Sequence, residues 1–152
     1  MYNPKSFIEQ FNTSQTVIGL DIGEKTIGIA ISDKSKTIAS PIFTINRKGN
    51  RNDFKELLKL FDKYNVSGIV IGLPLSINGE ENNSTRRVRE FADYLKKNTD
   101  LIMTFQDERF SSDVVFKELR KNSISITKIK KRINHLAASY ILQGFLDAAK
   151  NI

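Results

Sequence analysis

Three short stretches of the 152-residue sequence hold side chains suited to chemistry. The first is Asp21, near the end of the run Thr16-Val17-Ile18-Gly19-Leu20-Asp21-Ile22-Gly23. Residues sharing its face are small: Gly19 on the same run, Gly28 and Ala30 on the next. Small side chains leave room for a ligand; the other reading is a turn-forming Asp bonded to backbone near Gly23. The second stretch is Asp107-Glu108-Arg109, which follows the apolar run 101–106. Carboxylates after a buried strand fall near the sheet edge where α/β folds bind ligands; otherwise they form a surface Glu–Arg pair of little energetic weight. The third is Asn134, on the helical stripe of Ala137, Ala138 and Ile141. That stripe faces the sheet, unless Asn134 is simply the N-cap of the last helix. His135 is rotated ~100° from Asn134 and reads as structural. Cysteine is absent and His135 is the sole histidine, which excludes thiol nucleophiles, zinc–thiolate sites and multi-histidine metal sites. What remains is the chemistry of carboxylate and amide oxygens.

The elements that must position these groups follow from periodicity. Residues 16–23 and 26–32 both alternate, with Ile18, Leu20 and Ile22 on one face and Ile27, Ile29 and Ile31 on the matching one. Two such runs around Gly23-Glu24-Lys25 predict an antiparallel hairpin. A third strand is expected at 37–45, on an edge because Pro41 lies within it. Residues 53–64 predict an amphipathic helix, 68–72 a buried parallel strand, 84–97 a helix and 101–106 a fifth strand. Helices are expected at 111–121 and 134–150, separated by a polar, basic and aperiodic segment at 122–133. The fold class is therefore α/β: a five-stranded mixed sheet, three antiparallel then two parallel strands, flanked by helices. We expect a single domain over residues 1–152, with 1–15 as an N-terminal extension beginning in a short helical lead-in.

Residues 17–30, Val17-Ile18-Gly19-Leu20-Asp21-Ile22-Gly23-Glu24-Lys25-Thr26-Ile27-Gly28-Ile29-Ala30, resemble the first hairpin of the YqgF family. Ile71-Gly72-Leu73-Pro74-Leu75 with Asn78-Gly79 resembles its second motif, and Asp107-Glu108-Arg109-Phe110-Ser111 its third. Asn134-His135-Leu136-Ala137-Ala138 with Ile141-Leu142-Gln143 resembles its C-terminal motif. The family is a bacterial group within the RNase H-like superfamily, related to the RuvC Holliday junction resolvases. The resemblance implies an RNase H-like fold and a nuclease of structured nucleic acid that processes the 5′ end of pre-16S rRNA. Its alternatives are a Holliday junction resolvase and a non-catalytic RNA-binding ribosome-assembly factor. It implies a catalytic set of Asp21, Glu108 and Asn134, with Asp21 and Glu108 as ligands for Mg²⁺ or Mn²⁺, two ions together with substrate. The sequence departs from the family pattern where Asn134 stands for an aspartate, and where Asn78 replaces the usual acid of the second motif. Losing a charge at 134 is expected to weaken at least one metal position.

There are 24 Lys+Arg against 17 Asp+Glu, a net charge of +7, which favours polyanionic partners. Candidate phosphate-binding residues are Lys25, Arg86, Arg87, Arg109, Lys130, Lys131 and Arg132; the last three otherwise belong to a solvated loop. No apolar run approaches the ~20 residues of a membrane span, and residues 1–15 lack a signal-peptide core. The expectation is a cytoplasmic protein with no membrane partner, a monomer or homodimer, acting on pre-rRNA or, in the alternative, branched DNA.

Overall fold

The computed structural model describes residues 3–76, 78–108 and 126–150, and of 126–135 the backbone only. Five strands form one sheet in the order β3-β2-β1-β4-β5. Strands β1 (Thr16–Ile22), β2 (Thr26–Ser32) and β3 (Ala39–Asn46) meander antiparallel, while β4 (Val66–Leu73) and β5 (Ile102–Asp107) run parallel to β1. Helices α2 (Asn50–Lys63) and α3 (Asn83–Asn98) cover one face; α1 (Pro4–Ile8) and α4 (Ile126–Lys150) cover the other.

The alternation of β1 and β2 divides the molecule into two cores. Ile18, Leu20, Ile22, Ile27, Ile29 and Ile31 pack with Phe54, Leu57 and Phe61 of α2 and Val88, Phe91 and Leu95 of α3. On the opposite face Val17, Ala30 and Val70 meet Ala138, Ile141, Leu142 and Phe145 of α4. A Cβ on Gly19 would lie 2.8 Å from the Leu142 Cβ and 3.3 Å from the Ala138 carbonyl oxygen. Only glycine lets α4 descend this far onto β1. Phe145 meets Phe7 near the start of β4, whereas Leu142 and Ala138 lie over Gly19 and Ile141 over Gly72. Followed back toward its own start, α4 therefore climbs toward the C-terminal ends of β1 and β4.

The N-terminal lead-in forms as expected, capped by the Asn3 side chain, which accepts the Ser6 N–H at 2.8 Å. It supplies a fully buried Phe7, edge-on to Phe11 at 5.2 Å and to Phe145 at 5.4 Å. The third strand starts at Ala39, later than expected, because the Asp33 carboxylate accepts the Thr37 and Ile38 N–H groups and keeps them in the turn. Pro41 does lie on an edge strand, beside the register shift opposite Ala30. The larger correction concerns the last helix. It begins at Ile126, inside the segment read as aperiodic, so Asn134 lies within the helix and is not its N-cap. Neither Gly nor Pro occurs between 126 and 143, and Lys and Arg are good helix formers. The spacing of Ile126, Ile129 and Ile133 suits a helix, a signal masked by the charges between them. The helix expected at 111–121 lies outside the described residues. Among those described, no helix is long and apolar enough to cross a membrane.

Candidate functional site at the sheet edge

Because β1, β4 and β5 are parallel, their C-terminal ends share one edge. The ladder between β4 and β5 pairs Gly72 with Gln106 and Leu73 with Asp107, and the Glu108 N–H extends it by donating to the Leu73 carbonyl at 3.1 Å. Successive strand residues face opposite ways, so Glu108 turns to the α4 side and the exposed Asp107 to the other. The sequence allows only one of these adjacent acids into a site, and Glu108 is the one that enters. Its carboxyl group lies across Gly72, where a Cβ would come 2.9 Å from Oε2 and 2.6 Å from the Ile141 Cδ1.

Asp21 occupies the matching place on β1. Its partner on β2 is Gly28, and the register Leu20 to Ile71 makes Gly72 its neighbour on the β4 side. A carboxylate between two glycines can receive another side chain, and Glu108 takes that position in hydrogen-bonding reach of Asp21. Burial pushes the Glu108 carboxyl up to about 9, and the Asp21 charge, the hydrogen bond to Asp21 and the charge of Asp107 add to it. Burial also raises Asp21, to about 6, with partial relief from the hydrogen bond to Glu108. Both carboxyls are thus pushed toward their protonated forms, and the two titrate as a pair.

The small residues behind Asp21 do not leave open space along the whole strand, as the sequence suggested. At Gly19 and Ala30 the space is filled by α4, and only the stretch at Asp21, Gly28 and Gly72 serves the carboxyl pair. Gly23 closes the hairpin by donating its N–H to the Thr26 carbonyl at 2.8 Å, which leaves Lys25 exposed on the turn. The turn is held by Arg47, a residue that sequence reasoning missed. Its guanidinium donates to the Gly23 carbonyl at 3.2 Å and to the buried Asp53 carboxylate at 3.0 Å, and its backbone N–H donates to the Lys25 carbonyl at 2.9 Å. It also stacks 5.1 Å above the Phe91 ring. Nothing in the sequence distinguishes this pair from a surface one, because its value comes from burial between α2, α3 and the hairpin turn.

The loop after β4 is built from Asn78, which accepts the Glu80 N–H at 3.1 Å, and from Gly79 at φ +88°. Asn78 is thus a turn residue. Asn82 caps α3 and ties it to the loop by donating to the Pro74 carbonyl and the Ser76 hydroxyl. Arg86 is exposed and Arg87 half-buried on the first turns of α3. Position 134 lies on α4 one turn before Ala137 and Ala138, in the direction of the edge; its side chain is outside the described residues, as are those of Lys130, Lys131 and Arg132 on the same helix. Arg109 also lies outside them. The structure thus brings Asp21 and Glu108 together, and among the described residues no group of three or more acidic, histidine or cysteine side chains could hold a metal.

A family model described as "RuvX: Holliday junction resolvase" matches residues 15–148. A Bartonella tribocorum protein named "Putative pre-16S rRNA nuclease" is 41% identical over 138 residues, covering 91% of this chain and 88% of that protein. A Clostridium botulinum protein of the same name is 41% identical over 132 residues, covering 87% and 96% respectively. Among solved structures, Thermus thermophilus RuvC in complex with a Holliday junction substrate aligns with a TM-score of 0.53 at 9% identity, over 90% of this chain and 96% of that one. At such low identity the likeness shows the fold, which is RNase H-like.

Proposed function

Given that the chain belongs to the RuvX family, we propose that it is a metal-dependent nuclease that hydrolyses phosphodiester bonds at the Asp21–Glu108 edge, with the 5′ end of pre-16S rRNA as its substrate. The carrying observation is the pair itself: two half-buried carboxyl groups within hydrogen-bonding reach of each other where parallel strands end, beside Gly28 and Gly72. Such a donor set fits a hard divalent cation. Mg²⁺ and Mn²⁺ prefer carboxylate oxygen, and a cation in place of a proton removes the repulsion that otherwise opposes ionising both groups.

Asp21 and Glu108 would hold the cations, with Asn134 adding a neutral carbonyl oxygen. The chemistry such ions supply when bound is activation of the attacking water and stabilisation of the leaving oxygen. The remaining work belongs to the chain. Gly28 and Gly72 leave the carboxyl groups their places, and Arg47 and Asp53 fix the turn that follows Asp21. Lys25, Arg86, Arg87, Arg109, Lys130, Lys131 and Arg132 hold phosphates, so affinity falls steeply with added salt.

The test is incubation of the purified protein with a 5′-extended 16S precursor transcript and with a four-way DNA junction, each with EDTA, Mg²⁺ or Mn²⁺. The expected result is metal-dependent cleavage of the transcript, abolished by Asp21→Asn. Failure to cut either substrate with either metal overturns the reading. The description of the matching family favours a second reading, resolution of Holliday junctions. Two symmetric cuts require a two-fold dimer, so junction cleavage together with a dimer in light scattering would select it.

A further inference from the structure

Helix α2 carries Arg51, Lys55, Lys59 and Lys63 at strict four-residue spacing, and all four are exposed. They form one continuous ridge on the side away from buried Asp53, Phe54, Leu57 and Phe61. At 1.5 Å per residue the ridge is about 18 Å long, with neighbouring cations about 6 Å apart along the axis. A solvated helix face gains from opposite charges at this spacing, whereas like charges there destabilise it. Here three successive pairs, 51/55, 55/59 and 59/63, are like-charged. The exposed acids nearby, Glu56 and Asp62, form no ion pair with them, and among the described residues none of the four cations is in a salt bridge.

The ridge is also fixed relative to the carboxyl pair. Arg47 binds the turn after β1 and, through Asp53, the first turn of α2; Asp53 in addition accepts the Lys48 N–H at 2.9 Å. The cations therefore begin beside the hairpin turn that bears Lys25 and lead away from the edge along the face opposite α4. We infer that the α2 ridge is a binding track for the phosphodiester backbone of the nucleic acid, engaging it away from the point of cleavage. A duplex carries one charge per ~1.7 Å of axis, so the ridge spans on the order of ten phosphates. The inference rests on the nucleic-acid reading above, though not on hydrolysis.

The test uses the full chain in EDTA, with a fluorescein-labelled RNA hairpin and a labelled four-way DNA junction as probes and anisotropy as the readout. The triple variant Arg51→Gln, Lys55→Gln, Lys59→Gln is compared with a control of equal charge change, Lys96→Gln, Lys97→Gln, Lys150→Gln. The ridge variant is expected to bind at least one probe about tenfold more weakly or worse, with a log–log salt slope shallower by about two to three. The control keeps the wild-type slope. With Mg²⁺, the ridge variant is expected to raise KM on a long substrate and leave kcat unchanged, and arginine at the three positions restores affinity. Thermal melts of the ridge variant at or above the wild-type temperature exclude unfolding as the cause. Unchanged affinity and slope, or equal weakening by the control, overturns the inference. A wild type that binds neither probe overturns it together with the reading beneath it, whereas one that binds but does not cleave removes hydrolysis and leaves the track to be decided by the ridge variant.

Discussion

The raised titration of Glu108 and Asp21 makes the pair measurable without any substrate. Both carboxyls keep their protons to higher pH in the folded chain than in the unfolded one. For Glu108 the resulting stabilisation is complete below about 4.5 and is lost as pH rises through about 9; for Asp21 the window runs from 3.8 to about 6. Glu108→Gln retains the neutral form at every pH. In EDTA its melting temperature is therefore expected to rise relative to wild type across pH 5 to 9, as calorimetry would show. Parallel curves would contradict the raised titration. The same variant is expected to lower cleavage by about a hundredfold or more, since it removes a charge from the proposed reaction site. Asn134→Asp is expected to tighten Mg²⁺ binding about tenfold, ~1.4 kcal/mol, in titration calorimetry and to raise cleavage; unchanged binding would remove position 134 from the site. Asp21 and Glu108 stand out in the sequence as acids near or just past strand ends, but it is the family resemblance that joins them into one set; the sequence alone leaves a turn aspartate and a surface pair open. Arg47 does not stand out, because its importance depends on the burial of Asp53.

At the scale of the elements, glycines decide how closely helices and side chains approach the sheet. Gly72→Ala places a methyl group against both Glu108 and Ile141. It is expected to lower stability by about 1–3 kcal/mol and to reduce kcat by about a hundredfold through a displacement of ~1 Å, measured by urea unfolding and by turnover at saturating Mg²⁺. Gly144→Ala is the contrasting case. A Cβ there meets only Gln106 Nε2 of β5 at 3.7 Å, an ordinary contact. It is expected to raise stability by about 0.5–1 kcal/mol with activity retained. The strand positions agree to within two residues: β1 and β2 from period-2 alternation over seven positions, β4 from a continuous apolar run. The start of α4 was missed because its apolar positions are sparse and its charges carry no period of their own. The onset of β3 shifted because a single carboxylate, Asp33, competes with the ladder for two N–H groups.

For the molecule as a whole, the two cores differ in how they are closed. The core beneath α2 and α3 is isoleucine-rich and continuous along β1, β2 and β4. The other is completed by a short segment from the chain start, whose Phe7 and Phe11 rings occupy the space left by Gly68. The sequence predicts a short helix within residues 1–15 but not that role, which is a tertiary fact. Phe7→Ala is expected to lower unfolding free energy by about 3–5 kcal/mol in urea. Because Phe7 touches Phe145, it is also expected to loosen α4, visible as faster amide exchange in that helix than in α2. Equal exchange in both would show that α1 closes the core without steadying α4.

The bare backbone at Gly19 acts as a hard stop for the helix resting on it. A cushion of hydrocarbon would let α4 ride higher or lower as surrounding residues drift over generations; direct seating on the strand removes that play. The gap between strand and helix near the carboxyl pair is thereby set by backbone contact instead of by the volume of an intervening side chain.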